Sequence, residues 1–208
     1  MTLYGDSAFT SDSAVGTRAV AFDGSGDYGV ISDPLESTFQ SPFSISMWVK
    51  PDDGQPSGDS ARLLSTWGGT SYTISLIQTE HGGISMPISL GSSARTNYTP
   101  TAVFTNGTQS SYTHLVCVVD SSATLTLYVN GNSTSITSSG SGSLSDYSSS
   151  QNVAIGTHNP ASPTDGTTFT GKIDDISIWN TELTSTQASN IYNSGNGTDS
   201  HRHSFLSG

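Results

Sequence analysis

Residues 111–133 have the sequence SYTHLVCVVDSSATLTLYVNGNS, and this stretch decides the fold class. Its apolar run at 115–119 is continuous, which predicts a strand buried on both faces. Residues 124–130 alternate instead, with leucine or valine at every second position, which predicts a strand with one buried face. The turn-forming letters VNGN at 129–132 end this second strand. The stretch therefore predicts two consecutive β-strands.

The same period of two recurs along the chain. Apolar residues alternate with others at 43–50 and at 176–179. Turn signals separate the strands: DGSGD at 23–27, DDG at 52–54, WGG at 67–69 and HGG at 81–83. Many short strands at this spacing predict an all-β sandwich or barrel. Residues 133–150 are rich in Ser and Gly, and we expect a long loop or an irregular sheet edge there.

One short helix is predicted after the last strand. Thr184 can cap it and Gln187 stands three residues later, which is the spacing of a capping box. Leu183 and Ala188 occupy the positions of a hydrophobic staple, and Gly195 suits the position after the helix. We therefore predict a helix over about 185–193. A single domain is predicted over 1–208, with its core at about 15–195 and a polar tail at 196–208.

Three stretches together resemble a known family. They are AVAFDGSGDYGVISDPL…FSISMWVKPDDG at 19–54, the stretch at 111–133, and NVAIGTH…TTFTGKIDDISIWNTELTSTQASNIYNSG at 152–195. In this order they resemble laminin-G-like domains of the concanavalin A-like lectin/glucanase superfamily, although Tyr112 stands where that family usually has tryptophan. The resemblance implies a jelly roll of two antiparallel sheets, each of six or seven strands. Pattern and resemblance together predict an all-β, two-sheet antiparallel jelly-roll sandwich with one short C-terminal helix.

Composition excludes several classes of protein. The net charge is −11 with six Lys and Arg residues, so the chain lacks the basic surface that nucleic-acid binding needs. No apolar run approaches the ~18 residues of a membrane span. Residues 1–18 lack the basic and apolar regions of a signal peptide, so we expect no export signal. The single cysteine forbids an internal disulfide.

The sequence also lacks the residues expected of an enzyme. Glucanases of the superfamily carry paired acids on one strand as E-x-D-x-E or a close variant, because glycosidic cleavage needs two carboxylates. Glu36, Glu80 and Glu182 have no acidic residue two or four positions later. Cys117 falls in the apolar run and is predicted to be an inert core thiol, and His114 is expected to have a structural, hydrogen-bonded role. We predict no catalytic residues.

Two acidic motifs indicate a structural calcium ion. FDGSGDY places Asp23 and Asp27 around a Gly-rich turn that frees backbone carbonyls, and GKIDD places Asp174 on the last strand. Carboxylate and carbonyl oxygens are the ligands that Ca²⁺ uses. The resemblance implies that the first and last strands are neighbours and that a calcium ion lies in this area, so we expect these three residues to converge. The alternative is that Asp23 caps a turn and Asp174 accepts backbone N–H groups.

A glycan site would need aromatic side chains and planar polar groups on a sheet face or its rim. The candidates are Trp67, Tyr72, Tyr98, His81 and Arg95. The arginine would suit acidic sugars. For each aromatic residue the alternative is ordinary packing.

Two functions remain open. Ser and Thr make up about a third of the chain, a polar composition that suits a protein working outside a cell, yet no export signal is evident. A phage virion surface component (capsid decoration, spike or fibre) would satisfy both facts, because it is made in the host cytoplasm. Its partners would be the capsid or neighbouring copies in a homo-oligomer, and its role structural stabilisation or adhesion to host glycans. The alternative is an extracellular, lectin-like carbohydrate-binding module of a secreted bacterial protein; a polysaccharide-cleaving enzyme has the least support.

Overall fold

Two antiparallel sheets form the molecule in a computed structural model, which describes residues 1–57, 60–66, 71–161 and 167–198. One sheet has eight strands, in the order β1 (Thr2–Tyr4), β4 (Tyr28–Ile31), β14 (Val153–Ile155), β6 (Ala61–Ser65), β7 (Tyr72–Gln78), β8 (Ile84–Leu90), β9 (Ser93–Tyr98) and β13 (Thr137–Ser141). The other has seven, in the order β12 (Asn132–Thr134), β11 (Leu125–Val129), β10 (Thr113–Val119), β5 (Phe43–Pro51), β15 (Thr170–Trp179), β3 (Ala19–Asp23) and β2 (Ala8–Thr10). The predicted all-β, two-sheet sandwich is confirmed.

The core lies between the sheets, where the alternation predicts it. On β8 the residues Ile84, Met86, Ile88 and Leu90 are buried while the residues between them are partly exposed. The inward residues of β5 and β10 meet them from the other sheet. Because a strand turns successive side chains to opposite faces, one period-two pattern determines which half of each strand is buried.

A short helix covers part of the outer face of the seven-stranded sheet. This helix, α2 (Ser185–Tyr192), begins with the predicted capping box between Thr184 and Gln187. Its residues Ala188 and Ile191 pack on Val116 and Val118 of β10. The apolar run at 115–119 is therefore buried on both faces, as predicted. The left-handed residue that ends the helix is Asn193 (φ 49°) rather than the expected Gly195, because asparagine also tolerates this conformation. A second helix, α1 (Glu36–Phe39), has one turn.

One segment lies as predicted, at an edge of the sheet, and another lies differently. Residues 133–150 contain the edge strand β13, which pairs with β9, and a 3-10 turn at Leu144–Asp146. The Ser- and Gly-rich sequence of this segment shows no alternation of apolar residues. An edge strand does not need such a pattern, because backbone hydrogen bonds alone can hold it in the sheet. Residues 2–10 add one short strand to each sheet, β1 and β2, so the sheets begin before the predicted core. Among the described residues, neither helix has the length and apolarity that crossing a bilayer requires.

Candidate functional site

An open cavity lies at one end of the eight-stranded sheet, on its outer face. Tyr98 of β9 stands directly opposite Ser85 of β8, and both side chains point away from the core. Tyr98 is 41% exposed, which makes it one of the few large exposed aromatic residues in the part of the chain that the structure describes. The cavity has a volume of about 470 Å³, and we call it the Tyr98 cavity. Its walls are formed by Thr79, His81, Ser85, Tyr98, Thr99 and Thr101, among others.

The loop that walls the Tyr98 cavity is held firmly. Thr99 exchanges two hydrogen bonds with the start of β8: its hydroxyl accepts from the Ile84 N–H at 3.0 Å, and its own N–H donates to the Ile84 carbonyl at 2.9 Å. The N–H groups of Val103 and Phe104 donate to the Gly82 carbonyl at 2.8 and 2.9 Å, and Phe104 is buried. The cavity is therefore built before any ligand arrives, which lowers the entropic cost of binding.

Polar groups surround the ring of Tyr98. The Thr79 hydroxyl accepts a hydrogen bond from the Gly83 N–H at 2.9 Å, which leaves its own hydrogen free to donate. At the rim, His81 Nε2 lies 3.5 Å from Glu80 Oε1, and the His81 side chain is 87% exposed. The cavity thus offers an aromatic face beside hydroxyl, imidazole and carboxylate groups.

The structure brings together two of the five predicted glycan-site residues, Tyr98 and His81. Tyr72 pairs with Leu90 and lies on the inner side of its strand, where its ring packs edge-on against Tyr147 at 6.5 Å. Arg95 pairs with Ile88 on the inner side of β9 and donates to the Gly140 carbonyl at 3.3 Å. Neither joins the cavity, because the alternation of each strand sends them to the opposite face from Tyr98. Trp67 lies outside the described residues.

The sequence prediction missed the hydroxyl-bearing residues of the cavity. Ser85 could have been found from the alternation of ISMPISL at 84–90, which leaves it on the open face. Thr99 and Thr101 had no such signal, because they lie in an irregular segment whose path depends on Gly82 and Phe104.

Three acidic side chains converge at a second place, near the start of β4. Carboxylate oxygens of Asp6, Asp23 and Asp27 all lie within 4.8 Å of one another. Asp27 is buried, with Oδ1 accepting from the Asp6 N–H at 2.8 Å and Oδ2 accepting from the Asp23 N–H at 3.0 Å. Burial raises the pKa of the Asp27 carboxyl above its usual range, and the neighbouring Asp6 and Asp23 side chains add to the rise. In the described ranges no Lys or Arg forms an ion pair with these residues.

Asp174 does not join this cluster, in contrast to the predicted convergence. The first and last long strands are neighbours as expected, but Thr170 is the residue opposite Asp23. Asp174 lies four positions further along β15, about 13 Å at the rise of a strand. Its Oδ2 accepts from the N–H groups of Ala14 and Val15 at 2.8 and 2.9 Å, and its Oδ1 from the Asp175 N–H at 2.8 Å. The alternative role as a backbone acceptor is the one observed.

Asp6 takes the place that Asp174 was expected to fill. It follows β1, whose Tyr4 pairs with Tyr28 of β4, and this pairing sets Asp6 beside Asp27. Residues 2–4 have no hydrophobic pattern that predicts the strand β1 or its pairing with β4. The sequence therefore could not predict that Asp6 lies beside Asp27.

Comparison with known proteins identifies the family. A family model described as the concanavalin A-like lectin/glucanases superfamily matches residues 23–189. The chain belongs to this superfamily. No curated protein is similar enough in sequence to count as a match.

Solved structures with the superfamily fold resemble this chain at low identity. The binding domain of botulinum neurotoxin serotype D/C is 13% identical with a TM-score of 0.68, covering 93% of this chain and 47% of that domain. The receptor-binding domain of botulinum neurotoxin type G is 17% identical with a TM-score of 0.65, covering 92% and 46%. The chain thus spans about half the length of these toxin domains. The CBM40 module of a Ruminococcus gnavus sialidase is 18% identical with a TM-score of 0.62, covering 86% of this chain and 99% of that module.

The superfamily includes glucanases, which need a pair of carboxylates to cleave a glycosidic bond. The positions of the three glutamates therefore bear on whether this chain has such a pair. Its glutamates lie in three separate places: Glu36 in α1, Glu80 in the turn between β7 and β8, and Glu182 between β15 and α2. Cys117 is fully buried in the core, and burial raises the pKa of its thiol to about 12, so it is a poor nucleophile. These residues do not form a hydrolytic or nucleophilic site in the described chain.

Proposed function

We propose that the chain is a non-catalytic carbohydrate-binding module whose glycan occupies the Tyr98 cavity. The observation that carries this proposal is the exposed Tyr98 ring at the wall of a preformed, hydroxyl-lined cavity. A sugar presents an apolar C–H face and a rim of hydroxyl groups, so it suits an aromatic ring next to hydrogen-bonding side chains. The fold of CBM40, whose structure is also known with α2,3-sialyllactose bound, supports the same class of function.

Replacement of Tyr98 by alanine is expected to weaken glycan binding by about 30-fold. Losing the contact between the ring and the sugar removes roughly 2 kcal/mol, which corresponds to this change in Kd. A glycan array would identify the ligand, and calorimetry on the wild type and Tyr98→Ala would measure the difference. Tyr4→Ala is the matched control, because Tyr4 is 44% exposed but lies outside the cavity. Equal affinity of Tyr98→Ala and wild type would place the glycan elsewhere.

We further propose that Asp6, Asp23 and Asp27 hold a structural Ca²⁺. The donor set fits a hard cation, because three carboxylates meet with no described basic partner and one of them is buried. A methyl group at Gly5 would lie 2.6 Å from the Gly26 carbonyl oxygen and would overlap Asp27 Oδ1, so glycine keeps the space between these oxygens open. An ion there would connect β1 to the turn before β4 and would perform no chemistry.

Millimolar Ca²⁺ is expected to raise Tm by about 5–10 °C relative to EDTA. A ligand that binds only the folded state at 100 times its Kd stabilises it by about 2.7 kcal/mol, and 1 kcal/mol is about 2–4 °C for a chain of this size. The shift should be lost in Asp27→Asn and kept in Asp146→Asn, which removes an exposed carboxylate elsewhere. If the wild type melts at the same temperature in both buffers, the cluster binds no calcium.

The composition supports a place on a virion surface, with the capsid or neighbouring copies as partners. An extracellular location is the alternative that the carbohydrate-binding folds support. A glycan-binding module would serve attachment to a host surface in either location. Electron microscopy of virions with an antibody against the chain separates the two.

A further inference from the structure

The Tyr98 cavity has a carboxylate at its rim and no strongly basic side chain in its described wall. Glu80 lines the cavity, and its side chain is 50% exposed. None of the described residues that line the cavity is Lys or Arg. The chain as a whole carries a net charge of −11, so its long-range field also repels anions.

The turn between β7 and β8 fixes the position of Glu80. The Gly82 N–H donates to the Thr79 carbonyl at 2.9 Å, and the Thr79 N–H donates to the Gly83 carbonyl at 2.9 Å. A methyl group at Gly82 would overlap the Phe104 carbonyl oxygen, so the turn packs tightly on the loop that walls the cavity. The backbone of Glu80 is therefore held at the rim before a ligand binds.

Two basic side chains lie near the cavity without giving it a cationic wall. His81 Nε2 lies 3.5 Å from Glu80 Oε1 on a side chain that is 87% exposed, and imidazole groups in water are mostly uncharged at pH 8. Arg62 is on the same outer face but three strands away from Tyr98, about 14 Å at the spacing of strands. Its Nη1 donates to the Ser60 carbonyl at 3.2 Å. At pH 8 the charge in the described wall is therefore negative.

We propose that the Tyr98 cavity accepts neutral sugars and rejects acidic ones, and that Glu80 determines this specificity; the inference rests on the carbohydrate-binding function proposed above. A carboxylate only accepts hydrogen bonds, so it suits two adjacent sugar hydroxyls that each donate one. A sialic acid or a sulfated sugar would instead place a second anion beside Glu80. Like charges brought together in this way exclude a ligand even where its shape fits.

The test compares matched pairs of glycans on the full chain at pH 8. Each pair on a glycan array contains a neutral glycan, such as lactose, and the same glycan with a terminal sialic acid, such as α2,3-sialyllactose. The neutral glycan with the strongest signal and its sialylated partner are then titrated by calorimetry. We expect the sialylated partner to bind about tenfold more weakly, because like charges near a protein surface repel by an amount of this order. A rise in salt concentration should narrow the difference.

The substitution Glu80→Gln removes the charge and keeps the size of the side chain. We expect it to weaken binding of the neutral glycan about 3–10-fold, because hydrogen bonds to a carboxylate are stronger than those to an amide. Binding of the sialylated partner should become about 3–10-fold tighter, because the repulsion is gone. A loss of structure alone would not move the two affinities in opposite directions. Glu182→Gln is the matched control, since it removes an exposed charge outside the cavity, and it should change neither Kd.

The results separate this inference from the proposed function. If no glycan on the array binds, the carbohydrate-binding function fails, and the specificity fails with it. Equal or tighter binding of the sialylated partner by the wild type would overturn the specificity and leave the function standing. A sialylated partner that binds as weakly to Glu80→Gln as to the wild type would show that Glu80 does not exclude it.

Discussion

Replacement of Asn97 by alanine is expected to lower the free energy of unfolding by about 3–5 kcal/mol. Asn97 is fully buried on the inner side of β9 and makes four hydrogen bonds. Its Nδ2 donates to the carbonyls of Met86 at 3.2 Å and Ala123 at 3.0 Å. Its Oδ1 accepts from the Leu125 N–H at 3.2 Å and from the Ser138 hydroxyl at 2.7 Å.

These four bonds join both sheets through one side chain. Met86 and Ser138 lie on the strands that flank β9, and Leu125 begins β11 of the opposite sheet. Alanine would leave three buried backbone groups and the half-buried Ser138 hydroxyl without their partner, and each unsatisfied buried group costs about 1–3 kcal/mol before water or relaxation compensates. We expect Tm to fall by about 6–20 °C.

The matched control for Asn97 is Asn132→Ala, an exposed asparagine whose amide donates to the Asn130 carbonyl at 3.0 Å. It should change the free energy of unfolding by no more than about 0.5 kcal/mol. If Asn97→Ala were as mild as Asn132→Ala, the hydrogen bonds across the two sheets would contribute no net stability.

A fall in pH from 7 to 4 is expected to destabilise the fold by about 3 kcal/mol through His114 alone. Burial lowers the pKa of His114 to about 4, whereas the unfolded chain has the ordinary value of 6.5. Between these values the unfolded state binds a proton that the folded state excludes, so stability is lost as the pH falls from 6.5 to 4. The difference of about 2.5 between the folded and unfolded pKa values corresponds to about 3 kcal/mol of free energy of unfolding at 25 °C.

The surroundings of His114 explain why it resists protonation. Its Nε2 lies 2.8 Å from the Ser46 hydroxyl. Its ring lies against Trp48, tilted by 35° at 4.6 Å, and is stacked with Tyr192 at 5.9 Å. No carboxylate is among these neighbours to stabilise an imidazolium. The predicted structural, hydrogen-bonded role of this histidine is confirmed.

Unfolding by denaturant at pH 7, 6, 5 and 4 would measure the effect of His114. Because other groups also titrate in this range, the informative quantity is the pH slope of wild type minus that of His114→Gln. The control His81→Gln changes a side chain that is 87% exposed and should leave the slope intact. A His114 imidazole that titrates near 6.5 by nuclear magnetic resonance would contradict the expectation.

Local patterns in the sequence predicted local structure well. The alternation at 43–50 and 124–130 assigned each side chain to a face, because the strand period of two is a property of the backbone. The capping box at Thr184 located the start of α2 for the same reason, since both of its hydrogen bonds form within one turn. The order of three motifs also sufficed for the superfamily, which the family model confirms.

The candidate sites depended on pairings that no local pattern encodes. Tyr72 and Tyr98 are both tyrosines at the end of a strand, and the sequence does not distinguish them. Only Tyr98 lies in the cavity, because the register of β7 and β9 places the two rings on opposite faces of the sheet. The pairing of β1 with β4 brings Asp6 next to Asp27. Asp174 lies away from them, because it is four residues further along β15 than Thr170, the residue that pairs with Asp23.

The sequence by itself thus determined the strands that have a period of two, their buried faces, the C-terminal helix and the family of this protein. Only the tertiary structure decided which loops wall the Tyr98 cavity and which acidic side chains meet. The physical reason is the separation along the chain of the residues that determine each feature. A side chain's face is set by its immediate neighbours in the chain, but a site is assembled from strands whose register is chosen by the packing of the whole core.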